Sequence, residues 1–460
     1  MFHCSALLIP IFFLHLLNGN FLVTVESCDL PVPTFEILKP QGIRISIPDQ
    51  SGLVFFAFQG NVNTDIALSE IGVISGEVFG KKEGKWTIQN QRINLIDGDV
   101  INYWFNVQVN GTMCNKERQT WTVSSGTQAI ENREMPIPDG TLLFDENFDS
   151  LNESIWERTI KMPLSPDYEF CVYHNKHHEL LAKVTDGILR MRPIILEEYY
   201  GENVTAYGTL MLSGCTSNIP AECTRKAMSY NILPPIISAR LSTKESFYFR
   251  YGKIEIRAKF PEGDWLYPEL WLEPKYENYG MGYSSGRVLL GLARGNDNLV
   301  NITTGSIFDS RRLDFGLRTG AAAHVESHIV SKIQESGPRW TKGFHVYTTI
   351  WNSDGFQFLV DGEEVGKLRS ETNQWMSLSN LNKMAPFDQE FYITVGVGVG
   401  SIRVFPDGTT SSGRTKPWRN VGAKAMLHFW QARNQWLSGW RREKGAKTAF
   451  EIDYIRVWAF

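Results

Sequence analysis

Early in the chain, apolar and polar residues alternate in short runs. Ile43-Arg44-Ile45-Ser46-Ile47 alternates, Leu53 to Phe58 is an apolar run, and Trp86-Thr87-Ile88 opens another short segment. From Val100 to Val109 the alternation is strict. A period of two sends successive side chains to opposite faces of an extended backbone, so these segments are predicted to be strands. Asn110-Gly111 follows the last of them, and the return strand ends near Trp121-Thr122-Val123. That dipeptide tolerates positive φ at both positions, which a two-residue type I′ hairpin requires. Short strands with turn signals at this spacing predict a β-sandwich over residues 28–124.

Ser124 to Gly140 (SSGTQAIENREMPIPDG) is polar, lacks periodicity and holds two prolines, so 125–140 is expected to be a linker. From Thr141 to Phe460 the pattern is again strand-dominated, with Gly and Pro punctuation and no long amphipathic helix. The expected fold class is all-β throughout.

The Val100–Val109 segment separates into two faces. One carries Ile101, Tyr103, Phe105, Val107 and Val109; the other carries Asn102, Trp104, Asn106 and Gln108. Trp104 is thus an aromatic on a polar face, either a platform for a sugar ring or a ring that a loop covers.

At 460 residues, 42% apolar and 21% charged, the chain has room for two or three ordinary globular domains. A net charge of -4 gives no electrostatic reason for a nucleic-acid partner. Ala6 to Leu17 (ALLIPIFFLHLL) is too short to span a bilayer and has no basic flank after it, so 1–27 is expected to be a secretory signal. No later apolar run is long enough for a membrane span. Export permits disulfides. Cys215 and Cys223 enclose the short loop TSNIPAE and are the expected pair; such closure contributes roughly 2–3 kcal/mol. Cys28 and Cys114 would tie the first module together, leaving Cys171 free or buried. Sequons at Asn110, Asn152, Asn203 and Asn301 fit a secreted glycoprotein.

The stretch from Trp265 to Asn296, WLYPELWLEPKYENYGMGYSSGRVLLGLARGN, resembles the active-site strand of glycoside hydrolase family 16. Trp265, Pro268, Trp271 and Pro274 frame it ahead, Ser285-Gly286 lead into it, and Arg294-Gly295-Asn296 follow. In active members the residues after the Ser-Gly pair read Glu-x-Asp-x-x-Glu. Here that register reads Arg287, Val288, Leu289, Leu290, Gly291, Leu292. Positions 287 and 289 share a strand face, and 292 joins them only if a bulge shifts the phase, as the resemblance to laminarinases implies. A retaining glycosidase needs two carboxyl groups roughly 5–5.5 Å apart. Arg287 cannot attack a sugar carbon and Leu292 cannot donate a proton, so no catalysis is expected.

Further motifs follow in family order: LLFDENFDSLNESIW, YFRYGKIEIRAKFPEGDW, FHVYTTIWNSDGFQFLVDGEEVG, PFDQEFYITVGVGVG and EIDYIRVW. The resemblance covers residues 141–460 and implies a concanavalin-like β-jelly roll. Trp265 and Trp271 survive from the family frame, to stack on sugar or to pack beneath the sheet. Glu451-Ile452-Asp453 superficially copies the lost motif but lacks the Ser-Gly lead, and reads as a structural strand.

In the first module, PVPTFEILKPQGIRISIPD, LVFFAFQGNVN, GKWTI and INYWF resemble carbohydrate-binding module family 39. That resemblance implies an immunoglobulin-like β-sandwich and makes Asp49 and Trp86 ligand-contact candidates; on bare sequence they read as a turn Asp and a core Trp. Together the two halves resemble the arthropod β-1,3-glucan recognition proteins, also called Gram-negative-bacteria-binding proteins. The resemblance implies a secreted innate-immune sensor that binds microbial cell-wall polysaccharide and engages serine-protease cascades leading to melanisation or Toll signalling.

No cofactor and no metal are expected. His174, His177 and His178 in HNKHHE read as an exposed polar loop, and the alternating Gly396, Gly398 and Gly400 lack the helix of a nucleotide loop. The competing readings are an active glucanase using Glu269 or Glu273, and an adaptor that works through protein contacts alone.

Overall fold

The computed structural model describes residues 30–38, 42–67, 72–81, 84–90, 93–124, 140–174, 178–320, 324–370, 375 and 383–460. The chain forms two compact units, Met1–Pro136 and Ile137–Phe460, each with its own core. The expected signal segment, and the expected linker up to residue 139, lie outside the described residues.

The first unit holds β1 (Thr34–Ile37), β2 (Ile43–Pro48), β3 (Leu53–Val62), β4 (Ile74–Val78), β5 (Lys85–Asn90), β6 (Val100–Val109) and β7 (Thr112–Thr122). They form two antiparallel sheets, β1-β2-β5 and β4-β3-β6-β7. The alternation read along the sequence becomes the core: Ile43, Ile45, Ile47, Trp86 and Ile88 from one sheet meet Phe56, Phe58, Ile101, Tyr103 and Phe105 from the other. Asn110 and Gly111 turn the β6–β7 hairpin with φ of 52° and 83°, the pair of positive values that a type I′ turn needs.

The second unit is built on two sheets of eight strands each. In the first, the strands Arg312–Gly320, Tyr283–Leu292, Leu266–Pro274, Phe391–Val399 and Arg240–Ser242 lie side by side. In the second, Phe450–Trp458, Gly252–Lys259, His345–Asn352 and Gly355–Val360 do so. The sheets meet face to face: Phe315 of the first lies 5.5 Å from Phe358 and 6.3 Å from Tyr347 of the second. Leu317 and its cross-strand partner Val288 therefore point into this core, as Phe315 does, and Arg318, Arg287 and Leu289 point the other way.

The strand Tyr283–Leu292 is irregular at two points, between Tyr283 and Arg287 and between Leu289 and Leu292. At the first, Gly286 has φ of 77°, and a Cβ there would sit 2.6 Å from the Phe387 ring. Ser285 holds the same turn, its hydroxyl donating to Gly280 O at 2.8 Å and accepting from Tyr279 N at 2.9 Å. At the second, Leu289 faces Gly316 and Leu292 faces Asp314, so three steps on one strand match two on the other. That bulge returns position 292 to the face of 287 and 289.

The longest described α-helix, Ala425–Gln431, has seven residues, and no helix among the described residues is long and apolar enough to cross a membrane. Cys215 and Cys223 are joined, with Cα atoms 5.5 Å apart. Cys171 is free and buried, Cys114 is disulfide-bonded, and Cys28 lies outside the described residues.

Gly398 is paired across the sheet with Tyr267, and a Cβ on it would lie 2.2 Å from the Tyr267 ring. Gly398→Ala therefore overfills the site and lowers stability by about 1–3 kcal/mol. A denaturant titration of the second unit measures this; a midpoint equal to the parent's would show that the ring is free to move aside.

Candidate functional site

The outward face of the first sheet in the second unit gathers Arg287, Leu289 and Leu292, the positions singled out from the sequence. Along Leu266–Pro274, Glu269, Trp271 and Glu273 occur at every second residue and share this face with Arg287, Leu289 and Leu292. Arg318 pairs with Arg287 across one neighbouring strand, and Arg240 stands opposite Gly396, which in turn faces Glu269.

Arg287 is the centre of this face. Its guanidinium lies 2.8 Å from Asp167 Oδ2, 2.8 Å from Glu273 Oε1 and 3.8 Å from Glu269 Oε2, and stacks 4.4 Å from the centre of the Trp271 ring. Arg240 reaches Glu273 at 2.6 Å and Glu169 at 3.9 Å. Arg318 reaches Asp167 and the Tyr283 hydroxyl at 3.0 Å each, and that hydroxyl also donates to Asp167. All three arginines are at most 7% exposed.

An outward face this dry needs a cover. The segment 163–174 supplies part of it, carrying Asp167 and Glu169 to the arginines. Ser401 Oγ donates to Asp167 O at 2.7 Å, Arg403 Nε donates to Pro166 O at 3.1 Å, and Phe170 N donates to Val399 O at 2.8 Å.

Burial alone would raise every carboxyl here. At Glu273, Arg240 and Arg287 overrule burial and hold it well below the usual carboxylate range. At Asp167, Arg287, Arg318 and the Tyr283 hydroxyl do the same. Burial prevails at Glu169, pushed up to about 8 with help from Asp167 and Glu269, and it also leaves Glu269 raised despite Arg240 and Arg287. The result is a desolvated ion network in which Glu169 keeps its proton near neutrality.

Leu289 and Leu292, at the positions where the sequence resemblance expects carboxylates, are each 2% exposed. Glu269 and Glu273, the residues an unorthodox glucanase would use, both flank the Arg287 guanidinium, so a cation fills the space between them. Trp265 and Trp271 are 3% and 1% exposed. They present no ring face to solvent, and the stacking role expected of them gives way to packing.

Sequence reasoning missed Asp167, Glu169, Arg240 and Arg318. A signal was present: arginines inside apolar strands such as IISARLS have to meet buried carboxylates. Which carboxylates could not be read, because Asp167 lies 120 residues from Arg287.

The remaining candidates fall elsewhere. Glu451 pairs with Arg190 and Lys259, and Asp453 with Arg257, so both tie a central strand of the second sheet to its neighbours across the outer face. His174 is buried, with its Nε2 3.2 Å from the Tyr200 hydroxyl, which corrects the expected exposed loop at that residue; His177 lies outside the described residues. Among the described residues no cluster of His, Cys, Asp and Glu could hold a metal. Asn110, Asn152 and Asn203 are exposed, and Asn301 is half-buried.

In the first unit, Asp49 accepts from the Trp86 indole N–H at 2.9 Å and from Lys81 Nζ at 2.6 Å. Those two hydrogen bonds hold its carboxyl below the usual range. Trp86 is 4% exposed, so its ring is core and its edge positions Asp49. Trp104 is half-buried on the opposite sheet and donates to Ala67 O at 3.2 Å, so a loop does reach over it. The structure joins Asp49 to Trp86 and leaves Trp104 apart from them.

Comparison with known proteins agrees with this two-part build. The family model described as carbohydrate binding domain (family 32) matches residues 29–136, and that of glycosyl hydrolases family 16 matches residues 320–416. The β-1,3-glucan-binding protein of Hyphantria cunea is 35% identical, covering 95% of this chain and 96% of its own. Gram-negative bacteria-binding protein 1 of Drosophila melanogaster is 34% identical, covering 94% and 95%. Among solved structures, the laminarinase from Rhodothermus marinus is similar at 18% identity with a TM-score of 0.45, covering 70% of this chain and 97% of that one.

Two outcomes test the network. Arg287→Met strips Asp167 and Glu273 of their shared cation, and breaking such a buried pair costs about 3–5 kcal/mol, read as a lower denaturant midpoint for the second unit. The pH dependence has opposed parts. Asp167 and Glu273, depressed in the fold, contribute stability above the unfolded carboxylate range that is lost as pH falls through their folded values. Glu169 does the reverse: raised from 4.5 to about 8, it holds a proton the unfolded chain has released, so stability declines as pH rises between those values. Glu169→Gln should flatten the midpoint profile across that window, and a profile parallel to the parent's would contradict the assignment.

Proposed function

The chain belongs to the β-1,3-glucan-binding protein family, and from that premise we propose that it is a secreted pattern-recognition protein of innate immunity which binds microbial cell-wall polysaccharide without cutting it. The observation that carries this reading is Arg287, a permanent cation seated between Glu269 and Glu273 of the neighbouring strand and roofed by Asp167. Retaining hydrolysis needs a nucleophilic carboxylate, a proton donor and an open groove. Arg287, Leu289 and Leu292 supply neither group, and the covered face offers little room for a chain.

In this reading residues 28–124 are the glucan-binding module, 125–140 the linker, and 141–460 a family 16-like jelly roll without catalytic carboxylates. Asp49 and Lys81 are the polar contacts of the module, with Trp86 holding Asp49 in place. β-1,3-glucan is the first ligand, with bacterial envelope components beside it, and serine proteases of an immune cascade are the downstream partners. The disulfide between Cys215 and Cys223 and the exposed sequons support export. The glucanase alternative through Glu269 or Glu273 is disfavoured by the arginines bound to both.

Purified protein should pellet with insoluble β-1,3-glucan yet release no reducing ends from it above a heat-killed control. Arg287→Glu should recover nothing, because catalytic groups that act together are not additive. Turnover by the parent that Glu269→Gln or Glu273→Gln abolishes would replace this reading with the glucanase. Asp49→Ala should weaken pelleting by about tenfold, the loss expected for a charged hydrogen-bonding group; undiminished pelleting would remove Asp49 from the site.

A further inference from the structure

The outward face of the sheet β4-β3-β6-β7 is divided into two halves. In one half, the chain covers its own face and uses its amides to do so. Asn61 binds Asp65 O and Val73 N at 3.2 and 3.1 Å, Gln59 accepts from Gly72 N at 3.0 Å, and Asn102 donates to Thr64 O at 2.9 Å. Trp104 donates to Ala67 O in the same half.

The other half is open. Cross-strand pairing sets Phe55, Gln108 and Met113 in one row, and Glu77, Ala57, Asn106 and Asn115 in the next. The Phe79 ring lies 5.0 Å from that of Phe55 and is 74% exposed; Met113 is 51% exposed and Val54 50%. A register irregularity between Leu53 and Phe55 turns both Val54 and Phe55 outward, which enlarges the apolar patch. Beyond the backbone ladder, the side-chain amides of Asn106, Gln108 and Asn115 make no hydrogen bond among the described residues.

Exposed rings beside unengaged carboxamides suit a ligand with apolar ring faces and many neutral hydroxyls. Apart from Glu77, the two rows are uncharged, which gives an ionic ligand little to hold. Three strand spacings by one two-residue step make a footprint of roughly 14 Å by 7 Å. A stable protein partner needs about 800 Å² per side, several times that area, whereas a few sugar rings fit within it.

We propose that this half-face, built by Phe55, Phe79, Met113, Asn106 and Gln108, is a second glycan-contact surface for a neutral polysaccharide, on the sheet opposite Asp49 and Trp86. It rests on the reading that the first unit binds neutral glycan, and deepens it. Two contact surfaces on one module let it hold two stretches of a particulate polymer, and avidity then exceeds what either surface provides.

The test uses the full chain and insoluble β-1,3-glucan. Phe79→Ser with Met113→Ser should weaken pelleting about tenfold, the scale of lost ring contacts, while the melting midpoint stays at the parent's because both side chains are exposed. Asn106→Ala, which leaves the rings in place, should weaken pelleting in the same direction. If the double variant pellets like the parent while Asp49→Ala does not, the second surface is wrong and the glycan reading stands. If the parent itself fails to pellet, both fall together. A change in sedimentation with glucan binding intact would mark the face as a contact between copies, and would also overturn the proposal.

Discussion

A guanidinium taken out of water has to find negative charge, and Arg287 finds it on Asp167 and Glu273. Desolvating such an ion costs several kcal/mol even after relaxation, so the arrangement persists only because the partners are placed with direct contacts. Their placement has consequences outward. Asp167 has to come from segment 163–174, which means that segment must lie over the sheet. Arg318 and Tyr283 converge on the same carboxylate. Arg240 shares Glu273 and approaches Glu169. The face is thereby closed by its own charges, and its Arg287 Nε remains buried without a partner among the described residues.

The residues by which this strand is recognisable as family 16 have duties independent of catalysis. Asn296 accepts from Trp265 N at 3.1 Å and donates to Ser411 Oγ at 2.9 Å. Arg294 donates to Val404 O at 2.7 Å and pairs with Asp314 at 3.0 Å. Gly295 leaves no room for a Cβ, which would lie 2.5 Å from Gly263 O. Ser285 and Gly286 shape the turn before Arg287. The bulge expected from the resemblance forms, with Leu292 on it. Frame and chemistry were separable because different side chains carry them.

That separation explains what could be read in advance. Strict alternation in β6 and the Asn110-Gly111 turn specify their elements locally, and both formed. β4 was not foreseen, since ISGEV buries only Ile74 fully and its Gly76 leaves room for the Ile88 side chain. That Arg287, Leu289 and Leu292 stand where the resemblance expects carboxylates was legible from the spacing. What surrounds Arg287 was not, because its partners come from loops and strands distant in sequence. Burial was equally hidden: a Trp in a strand reads the same whether its ring faces solvent or, like Trp271, lies beneath two arginines.

The charge network also bears on where recognition has to happen. A working glycosidase face must stay hydrated and reachable, and its carboxyl groups must titrate near the pH at which they act. With Arg287 paired to Asp167 and Glu273 and segment 163–174 lying over it, this face is neither hydrated nor reachable. In the proposed reading, polysaccharide contact falls to surfaces that remain open, and the candidates are Asp49 with Lys81 on one sheet of the first unit and unengaged amides beside Phe79 on the other. Neither surface needs a reactive group, since stacking and hydrogen bonding hold a chain without straining any bond in it. A closed unit joined to an open one is therefore a coherent build for the proposed role, in which the protein detects a polymer and leaves it intact.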